Sequence, residues 1–229
     1  MTFRAKLLTE LFGSFVFMSV IALSGAAGPL APIAIGLALA AMVYMGGHIS
    51  GAQYNPAVSF ALFLRRVIDA RTMVAYWVAQ LIAGLLAFAF ADMLSGHTPG
   101  IQPGAGVSVW SALAAEIVFT AALATVVLNV AASRETAGNS FYGLAIGFTV
   151  AAGAFAVGPI SGAAFNPAVG FGATAVAAVA GHGSWSHLWL YVIGPLAGAA
   201  IGAGVHFLQA PAAAVPPEQA ERLPPQTAR

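Results

Sequence analysis

Two asparagines stand out in this sequence, because each begins the same four residues, Asn-Pro-Ala-Val. Asn55 lies within GHISGAQYNPAVSF (47–60) and Asn166 within GPISGAAFNPAVGF (158–171); ten of the fourteen aligned positions are identical, and the two copies are 111 residues apart. Asparagine is a strong N-cap, and proline suits the first helical position, where its missing N–H costs nothing. Each copy therefore predicts the start of a helix, with the positive end of the helix dipole at the asparagine.

The ionisable residues within apolar segments are few, and they do not suggest an enzyme site. Glu10, Asp92 and Glu116 are acidic, while the chain has no cysteine, no histidine pair at metal-binding spacing and no nucleophile beside a base. We therefore expect no enzyme activity, no cofactor and no bound metal. A coupled secondary transporter stays as an alternative, since such proteins use ionisable residues at mid-membrane, but Asp92 lies near the end of its apolar segment.

The composition places all of these residues in a membrane. The chain is 60% hydrophobic and 7% charged, whereas a soluble domain averages about 25% charged residues. The lipid bilayer must be its solvent, and six apolar segments are long enough to cross it at about 20 residues each. These segments are 7–27, 30–47, 72–94, 108–131, 139–157 and 187–208. A secretory signal peptide is an alternative for the first segment, but Glu10 interrupts the apolar run, and the length suits a full span.

All eight basic residues fall on one side of this six-span arrangement. They precede the first span, follow the sixth, or lie between the second and third or the fourth and fifth: Arg4, Lys6, Arg65, Arg66, Arg71, Arg134, Arg222 and Arg229. The positive-inside rule makes that side cytoplasmic, so both termini are predicted to be cytoplasmic. The tail 209–229 is rich in alanine, proline and polar residues, and it is predicted to be disordered.

Three spans separate the two Asn-Pro-Ala copies, so the second half must enter the membrane upside down relative to the first. Glu10 in the first span is matched by Glu116 in the fourth. We therefore predict a single channel domain over 1–208, built of inverted repeats at about 5–94 and 108–208.

The apolar segment that follows the first asparagine is too short to cross the bilayer. As a helix, NPAVSFALFL (55–64) measures about 15 Å, half of a hydrocarbon core of about 30 Å. Two such half-helices, entering from opposite faces, would meet at the midplane. The backbone carbonyls just before each asparagine, in SGAQY and SGAAF, should then stay unpaired, which a membrane tolerates only along a wet cavity. The prediction is one pore built from both sides.

These features resemble the aquaporin and aquaglyceroporin (major intrinsic protein) family over about residues 5–208. The resemblance implies an all-α membrane protein of six transmembrane helices and two re-entrant half-helices in an inverted repeat, assembled as a homotetramer with one pore in each copy. It also implies that the asparagine amides donate hydrogen bonds to passing molecules, and that the helix dipoles repel cations. The two NPA motifs consist of Asn55, Pro56, Ala57, Asn166, Pro167 and Ala168.

Three residues outside the motifs also match this family. Glu10 and Glu116 correspond to its buried glutamates, which brace the carbonyls of the re-entrant loops; a proton relay is the less favoured interpretation. His48 corresponds to a histidine at the cytoplasmic mouth, where it either lines or gates the pore or packs within the protein through hydrogen bonds.

The selectivity filter is where this chain departs from the family. A strict water channel has an arginine after the second NPA motif, together with an aromatic ring, a histidine and a small polar residue. This chain has Val169 after the motif, and spacing assigns the other filter positions to Ile35, Ala154 and Ala163. Such a filter is wider and apolar, so larger neutral solutes should pass. Val169 also resembles a small bacterial branch of aquaglyceroporins associated with arsenic resistance, which pass uncharged metalloid hydroxides.

The expected function is therefore a passive channel in a bacterial inner membrane. Its expected partners are the lipid bilayer and small neutral solutes, namely arsenite, polyols such as glycerol, and water, with no nucleic acid. An ordinary glycerol or water facilitator is the nearest alternative, because a wide apolar filter does not distinguish glycerol from arsenite.

Overall fold

The computed structural model describes residues 1–96 and 100–209, and every regular element in these ranges is helical. The predicted tail 209–229 lies outside the described residues except for Gln209, which is the last residue of the final helix. The α-helices are α1 (Phe3–Leu23), α2 (Ala31–Ser50), α3 (Pro56–Leu64), α4 (Ala70–Ser95), α5 (Val109–Val127), α6 (Tyr142–Ser161), α7 (Pro167–Val179) and α8 (Leu188–Gln209).

Six of these helices correspond to the six predicted spans. Within residues 1–96 and 100–209, five continuous stretches are long and apolar enough to cross a membrane, and the first of them, Phe3–Ser50, contains two helices. These two, α1 and α2, are separated by a 3₁₀ segment, Ser24–Leu30, in which Gly28 has a φ of 54° that breaks the helical path. One π-helical turn, Leu128–Ala132, directly follows α5 and extends it. The prediction of an all-α membrane protein is confirmed.

The remaining two helices are the predicted half-helices. α3 has 9 residues and α7 has 13 residues, which correspond to about 14 and 20 Å, and both are shorter than the hydrocarbon core. Each has proline at its first position and an asparagine as its N-cap. α3 and α7 contact each other, so the two helices that begin at the NPA motifs meet within the bundle.

Glycines allow close contact both between two long helices and between a long helix and a half-helix. A Cβ atom on Gly36 of α2 would lie 2.6 Å from the carbonyl oxygen of Gly147 of α6, and a Cβ on Gly147 would lie 2.3 Å from the carbonyl oxygen of Gly36. Where α7 packs against α4, a Cβ on Gly172 of α7 would lie 2.6 Å from the carbonyl oxygen of Gly84 of α4. At these crossings the backbones touch, as is common where membrane helices pack through small residues.

Polar side chains lie inside the bundle, and large apolar side chains cover its outer surface. Glu10, Gln80 and Glu116 are fully buried, whereas Val118 and Phe148 are more than half exposed on the outer faces of α5 and α6. This distribution is expected where lipid covers the outside, because a bilayer accepts apolar side chains and offers no partner to a carboxylate.

Candidate pore

The centre of the bundle is formed by the two asparagines of the NPA motifs, each of which caps its own half-helix. The side-chain oxygen of Asn55 accepts a hydrogen bond from the backbone N–H of Ala57 at 2.8 Å. The side-chain oxygen of Asn166 accepts one from Ala168 at 2.9 Å. Both alanines are fully buried, so their small size allows the two helix starts to approach each other.

Each asparagine also donates across the centre to the opposite loop. Asn55 Nδ2 donates to the carbonyl oxygen of Phe165 at 2.9 Å, and Asn166 Nδ2 donates to that of Tyr54 at 3.0 Å. These bonds correct the expectation that the carbonyls just before each asparagine are unpaired, because the last carbonyl of each loop is already occupied. An amide nitrogen carries two N–H groups, so one N–H per asparagine remains after this exchange.

The first re-entrant loop is anchored by Glu10 of α1, which is fully buried. Its Oε1 accepts hydrogen bonds from Ser50 Oγ at 2.6 Å and from the backbone N–H of Gln53 at 2.9 Å. Its Oε2 accepts from the backbone N–H of Tyr54 at 2.8 Å and from Gln80 Nε2 at 2.9 Å. One carboxylate thus fixes two consecutive backbone amides of the loop.

The second re-entrant loop has an equivalent anchor in Glu116 of α5. Oε1 accepts from Ser161 Oγ at 2.7 Å and from the Ala164 N–H at 3.0 Å, and Oε2 accepts from the Phe165 N–H at 2.7 Å. We expected the glutamates to brace the carbonyl groups of the loops, but both glutamates bind the backbone N–H groups instead. An ionised carboxylate only accepts hydrogen bonds, so it binds the N–H groups on one side of the loop.

Two tyrosines complete this support, and sequence reasoning missed them. Tyr76 Oη donates to the carbonyl of Ser50 at 2.9 Å, and Tyr191 Oη donates to the carbonyl of Ser161 at 2.6 Å. The serines lie within the repeated sequence and were detectable there. The tyrosines are 115 residues apart, so the 111-residue offset of the motifs does not align them.

The backbone of both loops is strained at matching positions. The non-glycine residues with positive φ in these loops are Ala52 (47°), Tyr54 (50°), Ala163 (52°) and Phe165 (50°). Such conformations cost roughly 1–3 kcal/mol each and persist only where the surroundings enforce them. The aromatic rings of Tyr54 and Phe165 are held by close packing against glycines. A Cβ on Gly13 would lie 2.2 Å from the Tyr54 ring, and a Cβ on Gly153 would lie 2.7 Å from the Phe165 ring.

A cavity of about 630 Å³ is lined by both asparagines and by residues from both ends of the bundle. We call one end the outer mouth: it is lined by the end of α1 with the Ser24–Leu30 segment, the start of α2, residues 100–102 and the end of α6. We call the other end the inner mouth: it is lined by the end of α2, residues of the segment 130–139 and the start of α6.

The predicted filter positions all line this cavity, on the side of the outer mouth. Ile35 comes from α2, Ala154 from α6, Ala163 from the second loop and Val169 from α7, and Val169 is 2% exposed. Among the described residues that line the cavity there is no Asp, Glu, Lys or Arg. His48 lies in the wall of the inner mouth with its side chain exposed.

A cluster of three hydrogen-bonded polar side chains, which the sequence did not indicate, connects separate elements near the inner mouth. Arg65, which follows α3, donates from Nε to Nδ1 of His206 at 3.0 Å. His206 is fully buried, and its Nε2 lies 3.1 Å from Oγ of Ser133, a residue of the inner mouth. The three side chains come from separate parts of the sequence, so no local sequence pattern predicts the cluster.

Comparisons with known proteins agree with this architecture. A family model described as major intrinsic protein (MIP) matches residues 1–206. Aquaporin NIP1-1 of Zea mays is 34% identical over 204 residues, covering 83% of this chain and 70% of that protein. Aquaporin AqpM of Methanothermobacter marburgensis is 36% identical over 169 residues, covering 70% of this chain and 68% of that protein. The X-ray structure of the aquaglyceroporin from Plasmodium falciparum superimposes with a TM-score of 0.76 at 19% identity, over 92% of this chain and 98% of that one, and so shares the fold.

Proposed function

The chain belongs to the major intrinsic protein family, a family of passive channels for water or small solutes and not of enzymes, and from this premise we propose that it passes small polyols and metalloid hydroxides together with water. The observation that carries the proposal is the uncharged, aliphatic wall at the filter positions, above all Val169. The chain is a multi-pass membrane protein, and the proposed location is a bacterial inner membrane with both termini in the cytoplasm.

The size and charge of Val169 bear directly on the choice of solute. An arginine at this buried position would reach into the cavity with a fixed positive charge and five N–H donors, leaving room for little more than water. Valine leaves that volume open and adds no charge. Glycerol and arsenite, which is As(OH)₃ at neutral pH, are both compact, neutral triols, so neither solute has to shed the hydration of an ion on entry.

The two asparagines provide polar partners at the centre of the path. Each amide keeps one N–H after bonding the opposite loop, and that N–H is the proposed donor to the oxygen of a passing hydroxyl or water. A water molecule that accepts from both asparagines, between two positive helix ends, is oriented so that it cannot relay a proton or favour a cation. Glu10 and Glu116 support this geometry, and His48 lines the inner mouth.

The proposed assembly is a homotetramer with a pore in each copy, as the family resemblance implies. The large apolar side chains exposed on the outer faces of α4 and α5, such as Leu86 and Val118, are suited to contact either lipid or a neighbouring copy.

Stopped-flow measurements on proteoliposomes test the proposed function. We expect water, glycerol and arsenite to enter vesicles that hold the wild-type protein faster than protein-free vesicles. Val169→Arg should lower glycerol and arsenite permeability at least tenfold and leave water permeability within about threefold. Val169→Thr is the matched control, since it keeps the shape of valine and adds no charge, and it should remain permeable to all three solutes.

Three results would each overturn part of the proposal. If the wild-type protein passes only water, the filter is narrow despite its composition and the chain is an ordinary water facilitator. Unchanged glycerol and arsenite flux in Val169→Arg would mean that the filter lies elsewhere. Saturable uptake coupled to an ion gradient would instead indicate a secondary transporter.

A further inference from the structure

The outer mouth contains a segment that does not belong to the four filter positions. Residues 100–102, in the connection between α4 and α5, line the cavity beside the start of α2 and the end of α6. These three residues therefore lie at the pore entrance, where they contribute to the path that a solute must take.

Backbone contacts fix this segment onto the end of α6. The N–H of Gly104 donates to the carbonyl oxygen of Ile160 at 3.0 Å. A Cβ on Gly104 would lie 2.1 Å from the carbonyl oxygen of Pro159, so no residue larger than glycine fits without moving one of the two backbones. Glycine at this position permits a direct backbone contact that sets the position of the residues before it.

Ile101 and Gln102 are held beside the second re-entrant loop by this attachment. A Cβ on Gly162, the neighbour of the filter residue Ala163, would lie 2.8 Å from Cγ1 of Ile101. Ile101 is half-buried and packs against the buried core. The side chain of Ile101 thus adds an apolar wall next to the filter, and Gln102, which follows it, is exposed in the outer mouth.

Gln102 is chemically distinct from its surroundings in the outer mouth. Among the described residues that line this mouth, only Ser24 and Gln102 have polar side chains. Ser24 Oγ already donates to the carbonyl oxygen of Ile21 at 2.8 Å, whereas the amide of Gln102 makes no hydrogen bond to another described residue. A primary amide presents a donor and an acceptor side by side, which is the pattern needed to bind a hydroxyl group.

We propose that Gln102 is a fifth specificity-determining residue, which binds the hydroxyl groups of a polyol or metalloid hydroxide at the outer mouth as that solute leaves water for the apolar filter. This inference rests on the proposed function. A solute that enters between Ile35, Ile101 and Val169 loses hydrogen bonds to water that these side chains cannot replace. The Gln102 amide replaces one or two of them at the point of entry, and it favours solutes with several hydroxyl groups over a single water molecule.

Parallel permeability measurements on proteoliposomes test this assignment. Gln102→Met keeps the length of the side chain and removes its donor and acceptor. We expect glycerol permeability to fall about fivefold, the worth of one hydrogen bond between neutral groups, with water permeability unchanged within about twofold. Gln102→Asn keeps the amide and should retain a higher glycerol-to-water ratio than Gln102→Met. Ser24→Ala is the control in the same mouth and should leave the ratio unchanged.

The outcomes separate this inference from the function on which it rests. If the wild-type protein passes glycerol faster than protein-free vesicles but Gln102→Met keeps the wild-type glycerol-to-water ratio, the role of Gln102 is refuted and the proposed function stands. An equal fall of both permeabilities in Gln102→Met would indicate a merely structural role and would also refute it. Wild-type glycerol flux no faster than that of protein-free vesicles would overturn the proposed function, and the inference with it.

Discussion

Replacing Glu116 with glutamine keeps the shape of the side chain but removes one of the two acceptor oxygens that hold the second re-entrant loop. The carboxylate accepts from the backbone N–H groups of Ala164 and Phe165 through different oxygens. Whichever way the new amide is turned, its NH₂ group faces one of these two N–H donors. Ser161 can rotate its hydroxyl to adapt, but a backbone N–H cannot.

The expected cost follows from this geometry. Glu116 is fully buried, so water does not replace the missing acceptor, and one orphaned backbone N–H costs about 1–3 kcal/mol. The bond that survives loses its charge assistance, which roughly halves its strength. We therefore expect the free energy of unfolding to fall by about 2–4 kcal/mol, a large part of the roughly 5–15 kcal/mol that stabilises a typical domain.

Unfolding of the detergent-solubilised protein, followed by tryptophan fluorescence, measures this loss. Glu135→Gln makes the same chemical change at an exposed position, and it should stay within about 0.5 kcal/mol of the wild type. Glu10→Gln should resemble Glu116→Gln, because it also leaves one of two loop amides without an acceptor. If Glu116→Gln were as stable as Glu135→Gln, the carboxylate would not be the anchor of the loop, and this reasoning would be refuted.

The remaining predictions concern the centre of the pore and the helix crossings. Asn166→Ala removes both the N-cap of α7 and the bond to Tyr54. We expect the free energy of unfolding to fall by about 1–2 kcal/mol from the lost cap, and protons to leak faster into vesicles that hold a pH-sensitive dye. Asn166→Asp keeps the cap but lacks the N–H, so it should leak protons with a smaller loss of stability. Gly147→Ala places a Cβ 2.3 Å from the Gly36 carbonyl oxygen, so it should lower the free energy of unfolding by about 1–3 kcal/mol or prevent folding. Gly204→Ala is the control, because no atom lies within 4 Å of its Cβ. It should be neutral or stabilising in the same unfolding assay.

Much of this architecture was predictable because the membrane imposes simple rules on a sequence. The spans follow from runs of apolar residues, and the half-helices follow from Asn-Pro at the start of runs too short to cross the bilayer. The gap-free alignment of the two motifs assigned Val169 to the predicted filter, and spacing from the asparagines assigned the other three positions. All four of them line the cavity; their effect on permeation stays a prediction.

The sequence by itself determined which elements form and which residue types stand at the predicted filter positions, because these depend on hydropathy, capping and spacing along the chain. Only the tertiary structure decided the partners of the buried polar groups. The exchange between each asparagine and the opposite loop joins residues 110 or more positions apart. The position of Gln102 over the pore entrance depends on the attachment of Gly104 to α6. Hydrogen bonds and close backbone approaches are set by where helices pass one another in three dimensions, and no periodicity along the chain encodes them.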